Sequence, residues 1–249
     1  MKRLIAILLS ICTPLWAAPN YTSQTCQNGT ASAGTTIACS ASMTVAAMDI
    51  VVCVGTVSSN ITLNSITNTG VTVTWTVNSS MKIYDLSNNQ TLFGGWGVAT
   101  QAGTITPSLN WTGSNPSNGI FCSAFNDVSS VTDGANNTNN AATGSGANAQ
   151  KSGTITTTVN GDLLVGGIID TTGIGATVTA GTLSVSYTKI GTCNDGSGAR
   201  LCMQWGTQTT AASGTEADWT FSNTDRSNVD IIAFNPKIPS AFINNPLRY

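Results

Sequence analysis

The chain reads as an all-β protein, an antiparallel β-sandwich built from two sequence-related halves. Three observations predict this. Thr, Ser, Asn and Gly make up most of the polar share while only 8% of residues are charged, a mixture that suits strands and tight turns. Period-two alternation recurs along the chain, most plainly where Val71, Val73, Trp75 and Val77 oppose Thr72, Thr74 and Thr76; that period marks a strand with one face on a core. Landmarks of residues 49–126 also return in the same order in residues 162–235.

The first element is a leader. Lys2 and Arg3 precede an apolar run over residues 4–12, and residues 14–18 end in small side chains, the layout of a secretory signal peptide. Cleavage is expected after Ala17, giving a signal at 1–17. The apolar run is too short for a stable membrane anchor, and Ile11 before Cys12 is large for a lipoprotein signal. With Lys2 and Arg3 removed, seven basic groups face eleven acidic ones, a net charge of -4. No basic run is present, so nucleic acid is not an expected partner.

The expected first β half covers 18–128. Strands are predicted over residues 37–45, 48–57, 61–66, 71–77, 81–86, 91–100, 104–111 and 119–126, punctuated by Gly70, Asn78, Asn88 and Asn115. Residues 129–152 carry almost no apolar side chain, which predicts a polar crossover or linker. The second β half, 153–235, repeats the order, with an apolar run at Asp162 to Ile169 and further strands at 200–207, 215–221 and 229–234. No stretch beyond the leader has helical periodicity. Residues 236–249 form a C-terminal arm in which Pro236, Pro239 and Pro246 oppose a helix, while Phe242, Ile243, Leu247 and Tyr249 are apolar. It either packs across its own domain or docks on a neighbouring subunit, making a homo-oligomer.

The duplication rests on four landmarks. Asp49-Ile50-Val51-Val52 matches Asp162-Leu163-Leu164-Val165, and Trp96-Gly97 matches Trp205-Gly206. Trp111-Thr112 matches Trp219-Thr220, and Ala124-Phe125-Asn126 matches Ala233-Phe234-Asn235. The offset drifts from 113 to 109 positions, as small loop changes would produce. Units this small each have an apolar face to bury, so the halves should pack as facing sheets or interleave in one sandwich.

Without Cys12 six cysteines remain: Cys26, Cys39, Cys53, Cys122, Cys193 and Cys202. An even set in an exported chain suggests disulfides, with fifteen possible connectivities. The preferred set is Cys26–Cys39, Cys53–Cys122 and Cys193–Cys202, with a buried thiol pair at Cys53 and Cys122 as the alternative. There is no CxxC pair and no histidine, so no zinc site or other cofactor is expected.

Absence of histidine also removes the Ser-His-Asp and Cys-His nucleophile systems. Paired carboxylates could still cleave glycosides. The candidates are Glu216 and ten aspartates: Asp49, Asp85, Asp127, Asp133, Asp162, Asp170, Asp195, Asp218, Asp225 and Asp230. Glu216 and Asp218 would share a face of one regular strand. Asp49 and Asp162 each sit where a turn enters a strand, a position that favours bonding to backbone amides. Calcium would need several clustered oxygens, for which Asp127 with Asp133, or Asn194 with Asp195, are the candidates; no EF-hand loop is present. Trp75, Trp96, Trp111, Trp205 and Trp219 could stack on sugars, but four of them are repeat-equivalent pairs, as core positions would be after duplication.

The series Val159-Asn160-Gly161-Asp162-Leu163-Leu164-Val165, Trp205-Gly206, Trp219-Thr220-Phe221 and Ile231-Ile232-Ala233-Phe234 resembles a diffuse group of β-sandwich modules. These occur in phage tail-fibre-like proteins and secreted bacterial surface proteins. Their rhythm is a GDLLV strand, a Gly-rich crossover, a second GDLLV strand and a closing Trp-x-Phe and AAF hairpin. The resemblance spans about residues 36–236. The first half departs from it, with Met48 where the group has Gly. It implies a jelly-roll-like fold and carries over no catalytic residue.

The expectation for function is therefore a non-enzymatic, exported or virion-surface structural or adhesion protein, secreted or on a virion. Its expected partners are surface polysaccharide or other structural subunits. A secreted carbohydrate-binding module is the alternative, and a glycoside-cleaving enzyme the third reading. Catalytic, cofactor and metal residues are expected to be none.

Overall fold

A computed structural model describes residues 17–30, 33–115, 117–140, 150–170, 177–194, 200–222 and 226–238. The leader up to residue 16, Asp195, Asp225 and residues 239–249 of the arm lie outside the described residues. All regular elements among the described residues are strands.

The first unit runs β1 (Asn20–Thr30), β2 (Gly34–Ala38), β3 (Met43–Val45), β4 (Ile50–Val57), β5 (Leu63–Gly70), β6 (Val73–Asp85), β7 (Gln90–Ala99), β8 (Gly103–Asn115) and β9 (Asn118–Asn126). The second runs β10 (Val128–Asn140), β11 (Gln150–Lys151), β12 (Ile155–Thr156), β13 (Asp162–Asp170), β14 (Val178–Ala180), β15 (Thr188–Asn194), β16 (Arg200–Gln208), β17 (Ser213–Thr215), β18 (Asp218–Phe221) and β19 (Ser227–Pro236). The pairings within both units are antiparallel.

Each unit holds one five-stranded sheet, in the order β1-β9-β4-β7-β6 and β10-β19-β13-β16-β15. The orders match: the first strand of a unit lies beside its last, and the last beside the strand of the apolar run. The other sheet of the first unit is centred on β8. Ile105 of β8 pairs with Met43 and Gly70, and Leu109 with Ile37 and Ile66, so β2 and β3 share one edge of β8 while β5 takes the other. The second unit splits this layer into β11-β18-β14 and β12-β17. Placing first beside last in one sheet, and second beside next-to-last in the other, is jelly-roll order.

The first half of the polar stretch 129–152 is a strand rather than the linker that composition suggests: residues 129–140 belong to β10, paired to β19 from Val128↔Pro236 to Asn140↔Ser227, while 141–149 lie outside the described residues. An edge strand is held through its backbone on one side and needs few apolar side chains. Its counterpart β1, NYTSQTCQNGT, is as polar. The second unit therefore begins at Val128, and only Asp127 separates it from β9.

Three apolar layers result. One fills the first sandwich, with Val51, Cys53, Leu109, Trp111 and Cys122. One fills the second, with Leu164, Ile168, Trp219, Ile231 and Ala233. The middle layer joins the two five-stranded sheets face to face, with Ile50, Val52 and Val54 on one side and Leu163, Val165 and Ile169 on the other. Strands β4 and β13 are thus buried on both faces, as their burial at every position shows. That explains why their sequences are continuous apolar runs rather than alternating ones. Each such side chain contributes about 2 kcal/mol when removed from water.

The sheets stack with a two-fold relation. Strand β6 lies against β10 and β1 against β15, while β7 lies against β19 and β9 against β16. Exchanging the units maps β6–β10 onto β15–β1 and β7–β19 onto β16–β9.

Candidate functional site

The carboxylates most suited to chemistry are held by the fold. Glu216 and Asp218 do not lie on one regular strand, because β17 ends at Thr215 and β18 starts at Asp218. Glu216 pairs with Lys151 at 2.7 Å. Asp218 accepts the amides of Thr182 and Leu183, both at 3.1 Å, and burial pushes its carboxyl up. Tyr187 donates its hydroxyl to the Glu216 carbonyl at 3.0 Å. The group closes the loop before β15.

The two strand-entry aspartates differ. Asp49 accepts the Ala46 amide at 2.8 Å, as a turn aspartate should. Asp162 does not follow that expectation. Asp133 of β10 takes the corresponding place, accepting the Thr158 hydroxyl at 2.8 Å and the Val159 amide at 3.2 Å, together with the Thr158 amide. Asp162 is fully buried with no other donor on its carboxyl. Burial, then the hydrogen bond and charge of Asp133, push it up to about 8. That shift favours the protonated carboxyl beside the Asp133 carboxylate. Backbone and hydroxyl hydrogen bonds from Thr158 and Val159 outweigh desolvation at Asp133 and hold its carboxyl below the usual range. The two carboxylates considered for calcium differ in role: Asp127 acts on Asp49 through its charge, whereas Asp133 lies with Asp162.

Asp230 appears in the sequence only as one of ten candidate aspartates, with no role of its own. It is fully buried, and its Oδ1 accepts the Gly167 amide at 2.7 Å. Burial pushes it up to about 7. A Cβ on Gly167 would come within 2.6 Å of that oxygen and 2.9 Å of Val54, so the glycine lets the carboxyl sit between the sheets. The signal for it was a charge inside the apolar run Val229-Asp230-Ile231-Ile232, opposite the double glycine Gly166-Gly167.

The tryptophans face inward or lie half-buried. Trp111 and Trp219 are buried in the two outer layers. Trp96 packs edge-on against Phe234 at 5.4 Å, and Trp205 lies 6.4 Å from Tyr21. Trp75 donates its indole N–H to Asn68 at 2.9 Å. No tryptophan among the described residues is exposed.

The six cysteines form three disulfides, Cys26–Cys39, Cys53–Cys122 and Cys193–Cys202. The one close group of metal-type ligands among the described residues, Cys26, Cys39 and Cys122, consists of these bonded sulfurs.

Two open crevices lie where the sandwiches meet. The larger, about 650 Å³, is bounded by residues 17–19, the turn 158–161, Thr207, Thr209 and Pro236. The smaller, about 220 Å³, is bounded by Met48, Ile50, Val98, residues 128–130, Lys237 and Ile238. They are related by the same exchange of units. Neither contains a pair of groups that could act as acid and base. Comparison with protein-family models, with curated proteins and with solved structures finds no match to this chain.

Proposed function

We propose that this is an exported structural or adhesion protein without catalytic activity, built as two jelly rolls that descend from one duplicated unit. The observation that carries the reading is that the groups a sugar-binding or sugar-cleaving protein would present are engaged inside the fold. Trp111 and Trp219 are buried, Glu216 is tied to Lys151, and Asp218 caps backbone amides. Three disulfides support an oxidising, extracellular setting. Contacts with polysaccharide or with other structural subunits would be made by the outer loops. A virion surface is the alternative location for the same role.

Antibody against the folded chain, applied to intact producing cells and to released particles, tests this. Label on an outer surface and a fully disulfide-bonded chain are expected. A reduced chain confined to the cell interior overturns the proposal. A glycan-array signal lost in Trp75→Ala, with melting unchanged, would establish the carbohydrate-binding reading instead.

A further inference from the structure

Three sulfurs of the first sandwich stand in one row. Cys26 of β1 is the register neighbour of Cys122 of β9, and Cys122 is the register neighbour of Cys53 of β4. Register neighbours on antiparallel strands share a face, and all three belong to the core of that sandwich. Cys39 comes from the opposite layer, where its amide donates to the Pro107 carbonyl of β8 at 2.9 Å. The Sγ atoms of Cys26, Cys39 and Cys122 all lie within 4.8 Å of one another. Two disulfides therefore meet at Cys122. No third cysteine among the described residues joins Cys193–Cys202 in such a group.

The two bonds differ in their access to solvent. Cys53 and Cys122 are 0% exposed and stand on strands buried along nearly their whole length. Cys39 is 6% exposed and begins the short segment between β2 and β3, in which residues 40–42 are exposed. Its partner Cys26 is the one buried residue of the edge strand β1. Short connections and edge strands open locally more readily than the centre of a sheet, so a thiol from solvent reaches Cys39 first. Attack there releases the Cys26 sulfur beside Cys122. Register neighbours lie about 4.5–5.5 Å apart at Cα, inside the range that a disulfide spans, so a Cys26–Cys122 bond needs no change of strand pairing.

We propose that Cys26, Cys39 and Cys122 form an internal thiol–disulfide relay through which the buried Cys53–Cys122 bond is opened and closed from the rim. With a dithiol reductant, one thiolate bonds to Cys39 and the Cys39–Cys26 bond breaks, leaving its electron pair on Cys26. The Cys26 thiolate bonds to Cys122, and Cys53 departs as a thiolate that takes a proton. The reductant's second thiolate closes its own disulfide and releases Cys39. Cys39 then attacks Cys26, which restores Cys26–Cys39 and frees Cys122 to take the second proton. The net transfer is two electrons and two protons from the dithiol to Cys53 and Cys122, with the rim bond regenerated. A disulfide oxidant drives the same steps in reverse. In an exported chain this lets the central bridge form after the sheets have closed over it.

Dithiothreitol treatment of the native full chain, quenched in acid and read by peptide mapping, tests the relay. A Cys26–Cys122 linkage should appear before Cys53 is fully free. Opening of Cys53–Cys122 without any Cys26–Cys122 species overturns the proposal. Cys26→Ser with Cys39→Ser should slow the opening of Cys53–Cys122 by about tenfold or more. A bridge that served structure alone would give the opposite sign, since its loss would loosen the sandwich and speed the opening. An equal or faster rate therefore overturns the relay. Cys39→Ala, which leaves the Cys26 thiol in place, decides the matter if the double variant does not fold. Its non-reducing peptide map should contain Cys26–Cys122, and a map with Cys53–Cys122 alone overturns the proposal.

Discussion

Where the first sandwich sets Cys53 against Cys122, the second sets Gly166 against Ile231. The positions correspond, because Asp49 aligns with Asp162 and Ala124 with Ala233 along the paired strands. In one unit a covalent bond joins two central strands; in the other a glycine stands there, and Ala217 comes within 2.7 Å of where its Cβ would lie. The next position outward repeats the contrast. Cys26, beside Cys122 in register, is bonded to Cys39. Asn136, beside Ile231 in register, donates its side-chain amide to the Thr154 carbonyl at 2.9 Å. The second unit has its own bridge elsewhere, Cys193–Cys202, between β15 and β16. The strand order is common to both units, while the cross-links are not. Pairing and two-sided burial therefore set the architecture, and disulfides reinforce it.

The largest expected effect comes from removing the central bridge. Cys53→Ala with Cys122→Ala should destabilise the chain by about 4 kcal/mol, the loop-closure value for its separation of 69 residues. Cys53→Gly with Cys122→Ile places the second unit's own pair in the first unit. It should recover roughly 2 kcal/mol of that loss by filling the cavity. Denaturant unfolding of the two variants measures the difference, and equal midpoints would break the correspondence between the positions.

A middle-sized effect separates the two aspartates. In the folded chain burial pushes Asp162 up to about 8 and Asp230 up to about 7, both above the ordinary value of 3.8. Groups raised in this way contribute stability that is complete below about pH 4 and is lost as pH rises through 7 and 8. Asp133, held low, acts in the opposite sense only in strong acid, where its carboxylate is lost. Melting temperature should therefore fall from pH 5 to pH 8.5. Asp162→Asn should flatten that slope and raise the melting point at pH 8.5 by roughly 5 °C. Asp49→Ala should instead lower stability at either pH, because the Ala46 amide loses its side-chain acceptor.

The smallest effect is at the substitute for the outer bridge. Asn136→Ala should cost about 1 kcal/mol, the net value of one hydrogen bond to the backbone, far less than the loss of a disulfide. Thermal melting of that single variant beside the reduced parent would sharpen the ranking.

Much of the fold was legible because it depends on local pattern. Alternation at Val71 to Val77 lies across the turn into β6, and the apolar runs at Asp49 and Asp162 enter the two strands buried on both faces. Cysteine spacing gave the pairing, since two of the bridges close short loops. The edge strand β10 was hidden because its stability comes from backbone pairing with β19, which leaves no apolar trace. The Asp133–Asp162 pair was equally hidden. Its members are brought together by β10 crossing toward the turn before β13, a relation with no fixed spacing in the sequence. Glu216 and Asp218 looked like strand neighbours because a short break in a strand is not encoded by alternation.

The single residue Asp127 between β9 and β10 has a consequence for how the chain closes on itself. The last strand of one unit runs almost directly into the first strand of the other. At the related place, Pro236 and Pro19 line the same crevice, so the second unit finishes beside the point where the first begins. The molecule is close to a ring with two equivalent joints, one covalent and one open. Cutting at Asp127 and bridging from Ile238 to Pro19 would exchange the joints while keeping all three apolar layers.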